Sequence, residues 1–146
     1  MGFSHGFFFY YYWCMNCYDK ALSLLALREH SVEEMKQKLL SKGYNKNEIE
    51  ESVKRLIDEN YLSDSRFCQV FIRSRLKKNP EGKALLVLRL KQKGIPSDVA
   101  NKEVNSYFED NSEEIAEIYS NYSKKIIEKK GEEKAKLKLY QKGIRH

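Results

Sequence analysis

The chain has 146 residues, of which 41% are hydrophobic and 33% are charged, so it holds enough apolar material for an ordinary core beneath a highly charged surface. Three cysteines do not make a disulfide framework, and the aromatic run at residues 7–15 is shorter than the ~20 residues that span a bilayer. That run also lacks the basic flank of a signal peptide, so we expect a cytoplasmic protein with no membrane partner, although a peripheral membrane or partner anchor, or a packed strand or helix, would also explain the run.

One short phrase recurs three times along the chain. It reads Leu, two further residues, Lys, Gly and an apolar residue, and it ends at Tyr44, Ile95 and Ile144. The glycines of the three copies, Gly43, Gly94 and Gly143, lie 51 and 49 residues apart. A period of this length is typical of stacked helical units, so we predict a repeat array.

The first repeat is predicted to hold three helices. The first covers about residues 19–28. Ser31 with Glu34 three residues later is typical of a capping box that begins the second, and Asn45 with Glu48 begins the third. Gly43 ends the second helix in a left-handed cap. Apolar residues at helical spacing predict the buried faces of the second and third helices: Met35, Leu39, Leu40, Ile49, Val53, Leu56 and Ile57.

The second repeat is predicted to follow the same order. Asp64 caps a helix with apolar residues on two sides, which indicates a helix between neighbours. Residues 79–82 form a turn, a helix follows over 85–93 and ends at Gly94, and Pro96 opens the next. The apolar positions of these helices are Phe67, Val70, Phe71, Ile72, Leu76, Ala100, Val104, Tyr107 and Phe108.

The third repeat is predicted to be incomplete. It begins at Asn111 or Ser112, is broken by Gly131 and continues in a helix over 132–142. By the pattern of the other repeats one helix is missing, so we expect less cover for Leu137, Leu139 and Ile144. The predicted fold is all-α, an elongated crescent of tandem three-helix repeats whose parts are 1–14 (an aromatic extension outside the fold), 15–62, 63–110 and 111–146 (without its last helix).

Basic residues are concentrated in two blocks separated by acidic stretches. Residues 66–93 hold nine basic and one acidic residue, and residues 118–146 hold nine and three. Such blocks suit a nucleic-acid backbone or an acidic protein groove, although solvated helix faces also explain them. Arg66, Arg73 and Lys77 share one helical stripe. The candidate contact residues are Arg66, Arg73, Arg75, Lys77, Lys78, Lys83, Arg89, Lys91, Lys93, Lys124 and Lys125.

The sequence does not indicate an enzyme. It contains no nucleophile–base–acid grouping, no phosphate-binding glycine loop and no carboxylate pair in a metal pattern, so we expect no cofactor. Cys14 and Cys17 have C-x-x-C spacing but lack the further ligands of a zinc site and the βαβ setting of a redox pair. Five tyrosines offer faces for base stacking, although their helical positions favour packing: Tyr44, Tyr61, Tyr107, Tyr119 and Tyr122.

Several phrases, in order, resemble the RecX family of recombinase regulators from about Met15 to the C-terminus. They are the segments 21–31, 61–67 and 71–75, the turn at 80–82 and the Leu-x-x-Lys-Gly phrases. The resemblance implies a crescent of three-helix modules that lodges in the groove of a RecA recombinase filament on single-stranded DNA. It further implies that the protein limits the strand-exchange, ATPase and co-protease activities of the filament, and that it binds DNA.

We therefore predict a monomeric regulator of a RecA-type filament, with single-stranded DNA contacted directly or within that filament. Two alternatives stay open. A general nucleic-acid-binding helical module would bind DNA equally well with or without the recombinase. A helical protein-interaction scaffold would bind its partner with little dependence on salt.

Overall fold

A computed structural model describes residues 15–145, and over that range it contains eight α-helices and no β-strand. The all-α prediction is confirmed. The predicted aromatic extension at 1–14 lies outside the described residues. The described chain divides into two compact units between Asp64 and Ser65. In chain order the helices are α1 (Cys17–Leu27), α2 (Val32–Ser41), α3 (Lys46–Asp58), α4 (Asp64–Lys78), α5 (Lys83–Gln92), α6 (Ser97–Asp110), α7 (Ser112–Lys130) and α8 (Glu132–Gln141).

The first unit packs α1, α2 and α3 around one small core. Its fully buried side chains come from all three helices and from the segment after α3: Ala21, Met35, Leu39, Val53, Leu56 and Leu62. The predicted buried face was too wide, because Leu40 is 55% exposed and Ile57 is 44% exposed. Each follows a buried leucine by one residue, which turns it about 100° around the helix and out of a small core.

Polar side chains cap the N-termini of α2 and α3, as predicted. The Glu34 N–H donates to Ser31 Oγ at 3.1 Å at the start of α2. At the start of α3 the Glu48 N–H donates to Asn45 Oδ1 at 2.9 Å, and the Asn45 N–H donates to the Glu48 carboxylate at 3.2 Å. This reciprocal pair satisfies two backbone donors that no helical carbonyl reaches.

Asp64 caps a different helix from the one predicted. Helix α4 begins at Asp64 itself, and its carboxylate accepts the backbone N–H of Val32 at 2.8 Å. A carboxylate at this position also interacts favourably with the positive end of the α2 dipole. The N-terminus of α2 is therefore held by a local cap, Ser31, and by a second residue 32 positions further along the chain.

The repeated phrase forms the same helix end three times. The backbone is left-handed at each glycine, with φ of 94° at Gly43, 85° at Gly94 and 69° at Gly143. The next residue donates its N–H five residues back: Tyr44 to Leu39 at 3.3 Å, Ile95 to Leu90 at 3.1 Å and Ile144 to Leu139 at 3.0 Å. This is the Schellman motif, and it confirms the glycine caps read from the sequence.

The second unit has a larger core built by α4, α5, α6 and the start of α7. Its buried members include Cys68, Ile72, Leu76, Leu86, Leu90, Ala100, Val104 and Ile115. Val70 was predicted on the apolar face of α4 but is 51% exposed. The buried residues of α4 are Phe67, Ile72 and Leu76, which belong to the predicted apolar positions, and Cys68, which does not.

Helices α7 and α8 pack together with a separate small cluster of Ile126, Ala135, Leu139 and Ile144. The prediction of poor cover was wrong for Leu139 and Ile144, which are each 3% exposed, and right for Leu137, which is 59% exposed. Helix α7 runs for 19 residues, so it is long enough to cover the inner side of α8. Tyr119 and Tyr122 of α7 complete this cover.

Candidate polyanion-binding surface

The outer face of α4 carries an exposed part of the predicted basic block. Arg73 and Lys77 are exposed and lie one helical turn apart, which places them side by side on the surface. The buried residues of α4, Ile72 and Leu76 among them, face the core of the second unit. Arg66 begins the same stripe but is only partly exposed.

Two of the predicted contact arginines converge instead on one carboxylate. Arg75 of α4 donates to Glu81 through Nη2 at 2.9 Å and through Nε at 3.2 Å. Arg89 of α5 donates to the same two oxygens at 2.9 and 3.3 Å. Glu81 is 2% exposed, so both pairs are shielded from water on the carboxylate side. Bidentate contacts of this kind are the strongest ion pairs that arginine makes.

Arg75 and Arg89 together lower the pKa of Glu81. Burial by itself raises the pKa of this carboxyl, but the hydrogen bonds and positive charges of Arg75 and Arg89 outweigh burial and lower the pKa to about 2. The same hydrogen bond raises the pKa of Arg89. Glu81 is therefore ionised at neutral pH and holds α4 to α5 across their connection.

The connection between α4 and α5 is also held from α7 and from the end of α8. The Tyr119 hydroxyl donates to the backbone carbonyl of Glu81 at 2.6 Å, and burial raises the pKa of that phenol to about 12. Lys142 Nζ donates to the side chain of Asn79 and to the Pro80 carbonyl, the latter at 3.3 Å. Burial lowers the pKa of Lys142, although the Glu81 carboxylate opposes that effect.

The remaining candidates of the second unit lie at its surface. Lys83 approaches the Asn105 side chain at 3.5 Å, and its ammonium lies 5.4 Å from the ring centroid of Phe108. The structure thus separates the predicted residues into Arg75 and Arg89, whose guanidinium groups bind Glu81, the partly exposed Arg66, and a set of exposed cations: Arg73, Lys77, Lys78, Lys83, Lys91, Lys93, Lys124 and Lys125.

Sequence reasoning missed Glu81 and its supports. Glu81 is the only acidic residue among the nine basic residues of 66–93, and that isolation was the available signal. The sequence reading also passed over Tyr140, which is 80% exposed. The tyrosines considered for stacking mostly pack: Tyr107 is 8% exposed, Tyr44, Tyr119 and Tyr122 are partly buried, and Tyr61 is 53% exposed.

In the first unit several basic side chains have acidic neighbours. Lys36 pairs with Glu50 at 3.2 Å, Arg55 pairs with Glu59 at 2.7 Å, and Arg28 pairs with Glu34. Arg55 also lies over the ring of Tyr18, 3.9 Å from its centroid. These pairs neutralise charge locally on the first unit.

A shallow cleft of about 450 Å³ in the first unit includes Cys17, Tyr44, Ser52 and Arg55 in its lining. Burial raises the pKa of the Cys17 thiol, which keeps it protonated and poorly nucleophilic at neutral pH. Across residues 15–145 there is no group of three or more His, Cys, Asp or Glu residues placed to hold a metal ion. Within the same range, no helix combines the length and apolar character needed to cross a membrane.

Two family models match the chain in tandem. The first three-helix domain of RecX matches residues 17–56, and the second matches residues 63–102. The chain belongs to the RecX family. This is a family of regulatory proteins and not a known enzyme family, and its second matched domain contains Arg73, Lys77 and Glu81.

Named relatives and solved structures agree with the RecX assignment. Regulatory protein RecX of Prosthecochloris aestuarii is 38% identical over 89 residues, which are 61% of this chain and 59% of the relative. That of Pelodictyon phaeoclathratiforme is 38% identical over 87 residues, 60% of this chain and 54% of the relative. The matched region therefore spans little more than half the length of these relatives.

The fold is similar to that of crystallised RecX proteins. The crystal structure of RecX from Lactobacillus salivarius superposes with a TM-score of 0.72 and 21% identity, covering 89% of this chain and 87% of that one. A second RecX crystal structure gives a TM-score of 0.71 at 19% identity. At these identities the likeness concerns the fold.

Proposed function

We propose that this RecX chain regulates a RecA-type recombinase filament on single-stranded DNA and lowers its strand-exchange, ATPase and co-protease activities. The tandem match of both three-helix domains carries the proposal, because relatives with these domains bear the name Regulatory protein RecX. The protein acts by binding and not by catalysis, in the cytoplasm and as a monomer.

The exposed cations of the second unit make the contact in this proposal. Arg73 and Lys77 extend from one face of α4, where phosphate groups of DNA or acidic side chains of the filament are accessible to them. A guanidinium engages a phosphate or carboxylate through two hydrogen bonds, so Arg73 provides orientation as well as charge. Contacts to phosphate release counterions, and binding then weakens as salt rises.

The repeat boundaries at 15–62, 63–110 and 111–146 belong to the same proposal. Each of these segments contains one Schellman motif with a left-handed glycine, which supports a common ancestry of the three segments. The second and third segments are the more basic, and the candidate contact residues Lys124 and Lys125 extend the charged surface onto α7.

The test is ATP hydrolysis by the recombinase in the presence of single-stranded DNA, with and without substoichiometric amounts of the full chain. We expect a lower rate, and no comparable effect from an unrelated basic helical protein of similar charge. An unchanged rate with folded protein would overturn the proposal. Equal DNA binding with and without the recombinase would then favour the general nucleic-acid-binding module.

A further inference from the structure

Tyr140 presents an aromatic ring to solvent near the end of α8. It is 80% exposed, and Leu137, three residues earlier on the same helix face, is 59% exposed. Lys136 precedes Tyr140 by four residues, so the two side chains lie on the same face of α8, one turn apart. An apolar ring with this exposure adds little to the core, where Leu139 and Ile144 provide the packing of α8.

The position of Tyr140 within the repeated phrase faces water in all three copies. Tyr140 is the second residue of the phrase that ends at Ile144, and its counterparts in the earlier phrases are Leu40 and Lys91. Both counterparts are exposed as well. Since the Schellman motif forms with Leu, Lys or Tyr there, the fold does not require an aromatic residue at this position.

After Glu132 and Glu133 in the first turn of α8, the chain around Tyr140 carries positive charge only. Residues 134–145 contain five basic residues and no acidic residue: Lys134, Lys136, Lys138, Lys142 and Arg145. Lys142 is directed inward to Asn79 and Pro80, whereas Lys136 and Arg145 are exposed before and after the ring. Such a surface is complementary to a flexible polyanion.

We propose that Tyr140 is a stacking platform for an unpaired nucleobase of a single-stranded nucleic acid, with Lys136 and Arg145 contacting the flanking phosphates. An exposed aromatic ring within a basic surface is the combination by which proteins bind single strands without sequence preference. Bases in a duplex keep their faces stacked on one another and cannot use the ring. The idea rests on the proposed function for its setting, in which a single strand lies close to the protein.

The test compares two oligonucleotides of about 15 nucleotides, oligothymidylate and an abasic strand of equal length, by fluorescence anisotropy with the full chain. Tyr140→Ala should weaken binding of oligothymidylate by at least about fivefold, the lower end for one stacked base, and leave the abasic strand unaffected. Tyr140→Phe should retain both affinities, because the ring face remains.

Tyr61→Ala is the matched control. Tyr61 is also an exposed tyrosine, at 53%, but it follows the acidic residues Asp58 and Glu59. Its replacement should change neither affinity. Lys136→Ala should weaken both oligonucleotides alike and reduce the dependence on salt, whereas Tyr140→Ala should leave the salt dependence as it is.

Equal losses on both strands, or no loss with Tyr140→Ala, would overturn the stacking role. A variant that binds both strands normally but loses the recombinase filament would overturn it in favour of a protein contact. The binding assay contains no recombinase, so its failure leaves the ATP hydrolysis result untouched. Conversely, an absent effect on ATP hydrolysis would remove the proposed regulation without changing the outcome for Tyr140.

Discussion

The backbone of Gly82, at the start of α5, lies directly against the backbone of Gly143, at the end of α8. The Gly82 N–H donates to the carbonyl of Lys142 at 2.8 Å. A Cβ added to Gly82 would lie 2.1 Å from the carbonyl oxygen of Gly143 and 2.6 Å from its carbonyl carbon. The start of α5 and the end of α8 therefore meet without any side chain between them.

Gly82→Ala should destabilise the second unit by about 2 kcal/mol or more, in the upper part of the range for overpacking. The cause is steric, because φ at Gly82 is −76°, a conformation that alanine adopts freely. The added methyl group meets backbone atoms, which cannot rotate away. Urea unfolding followed by circular dichroism measures the loss.

Gly131→Ala provides the matched control within the same unit. Gly131 has φ of 83° and ψ of 164°, a conformation that glycine adopts almost alone, but nothing lies within 4 Å of an added Cβ, so its substitution adds conformational strain of about 1–3 kcal/mol and no steric clash. A loss below about 1 kcal/mol for Gly82→Ala, smaller than that for Gly131→Ala, would show that the start of α5 and the end of α8 separate easily in solution.

Glu81→Gln should destabilise the second unit by about 3 kcal/mol at neutral pH, because it leaves Arg75 and Arg89 without their shared carboxylate. The folded pKa of Glu81 is about 2 against an ordinary value of 4.5, so its stabilisation is present above pH 4.5 and is lost as the pH falls toward 2. The variant should therefore lose less stability over that window than the natural chain.

Glu128→Gln, at an exposed position on α7, controls for the removal of one negative charge. It should leave the free energy of unfolding at neutral pH almost unchanged. Unfolding curves recorded at several values between pH 2 and 5 would contradict our interpretation if Glu81→Gln and Glu128→Gln behaved alike.

His30 should make the first unit less stable in mild acid. The ring is 1% exposed, its Nδ1–H donates to the Arg28 carbonyl at 2.9 Å, and its Nε2 accepts from the Lys38 ammonium at 3.2 Å. Lysine only donates, so the ring is neutral. Burial lowers the pKa of His30 below the ordinary value of 6.5, although the Arg28 carbonyl and the Glu34 carboxylate oppose the shift.

The sign follows from proton uptake. Above pH 6.5 both the folded and the unfolded ring are neutral, whereas below it the unfolded ring takes up a proton that the folded ring resists. Stability should then fall by at most about 1.4 kcal/mol per pH unit. His30→Gln should reduce this dependence of the free energy of unfolding on pH, whether or not the substitution itself changes stability. An equal slope in both proteins, measured by urea unfolding, would exclude His30 as the cause.

Charge reversal at Arg73 and Lys77 should weaken binding to the recombinase filament and reduce its salt dependence while leaving the fold intact. Both side chains are exposed on α4, so the free energy of unfolding should change by less than about 0.5 kcal/mol. Filament binding measured between about 50 and 200 mM salt gives the slope.

Arg75→Glu separates surface charge from structural charge. It makes the same charge change two residues away but places a second carboxylate beside Glu81. We expect a large loss of stability, measured by thermal unfolding. If Arg75→Glu folded normally, its structural role would be wrong. If Arg73→Glu with Lys77→Glu left filament binding unchanged, the contact role of these two residues would be wrong.

Much of the helical structure could be predicted from the sequence because its signals are local. The cap at Asn45 depends on a residue three positions later, and the Schellman motif at Gly43 lies within residues 39–44. Helical periodicity also placed Arg75 on a different side of α4 from Arg73. These relations survive in any context where the helix forms.

Only the tertiary structure decided which charges and rings are accessible. Nothing local to Arg75 or Arg89 indicates that both guanidinium groups bind Glu81, since that depends on how α4 and α5 pack across their connection. The exposure of Tyr140 likewise depends on α7, which covers Leu139 and Ile144 but not the outer face of α8. Local chemistry determined where helices begin and end, whereas long-range packing determined which side chains remain free to bind, because burial is a property of neighbours that the sequence does not place side by side.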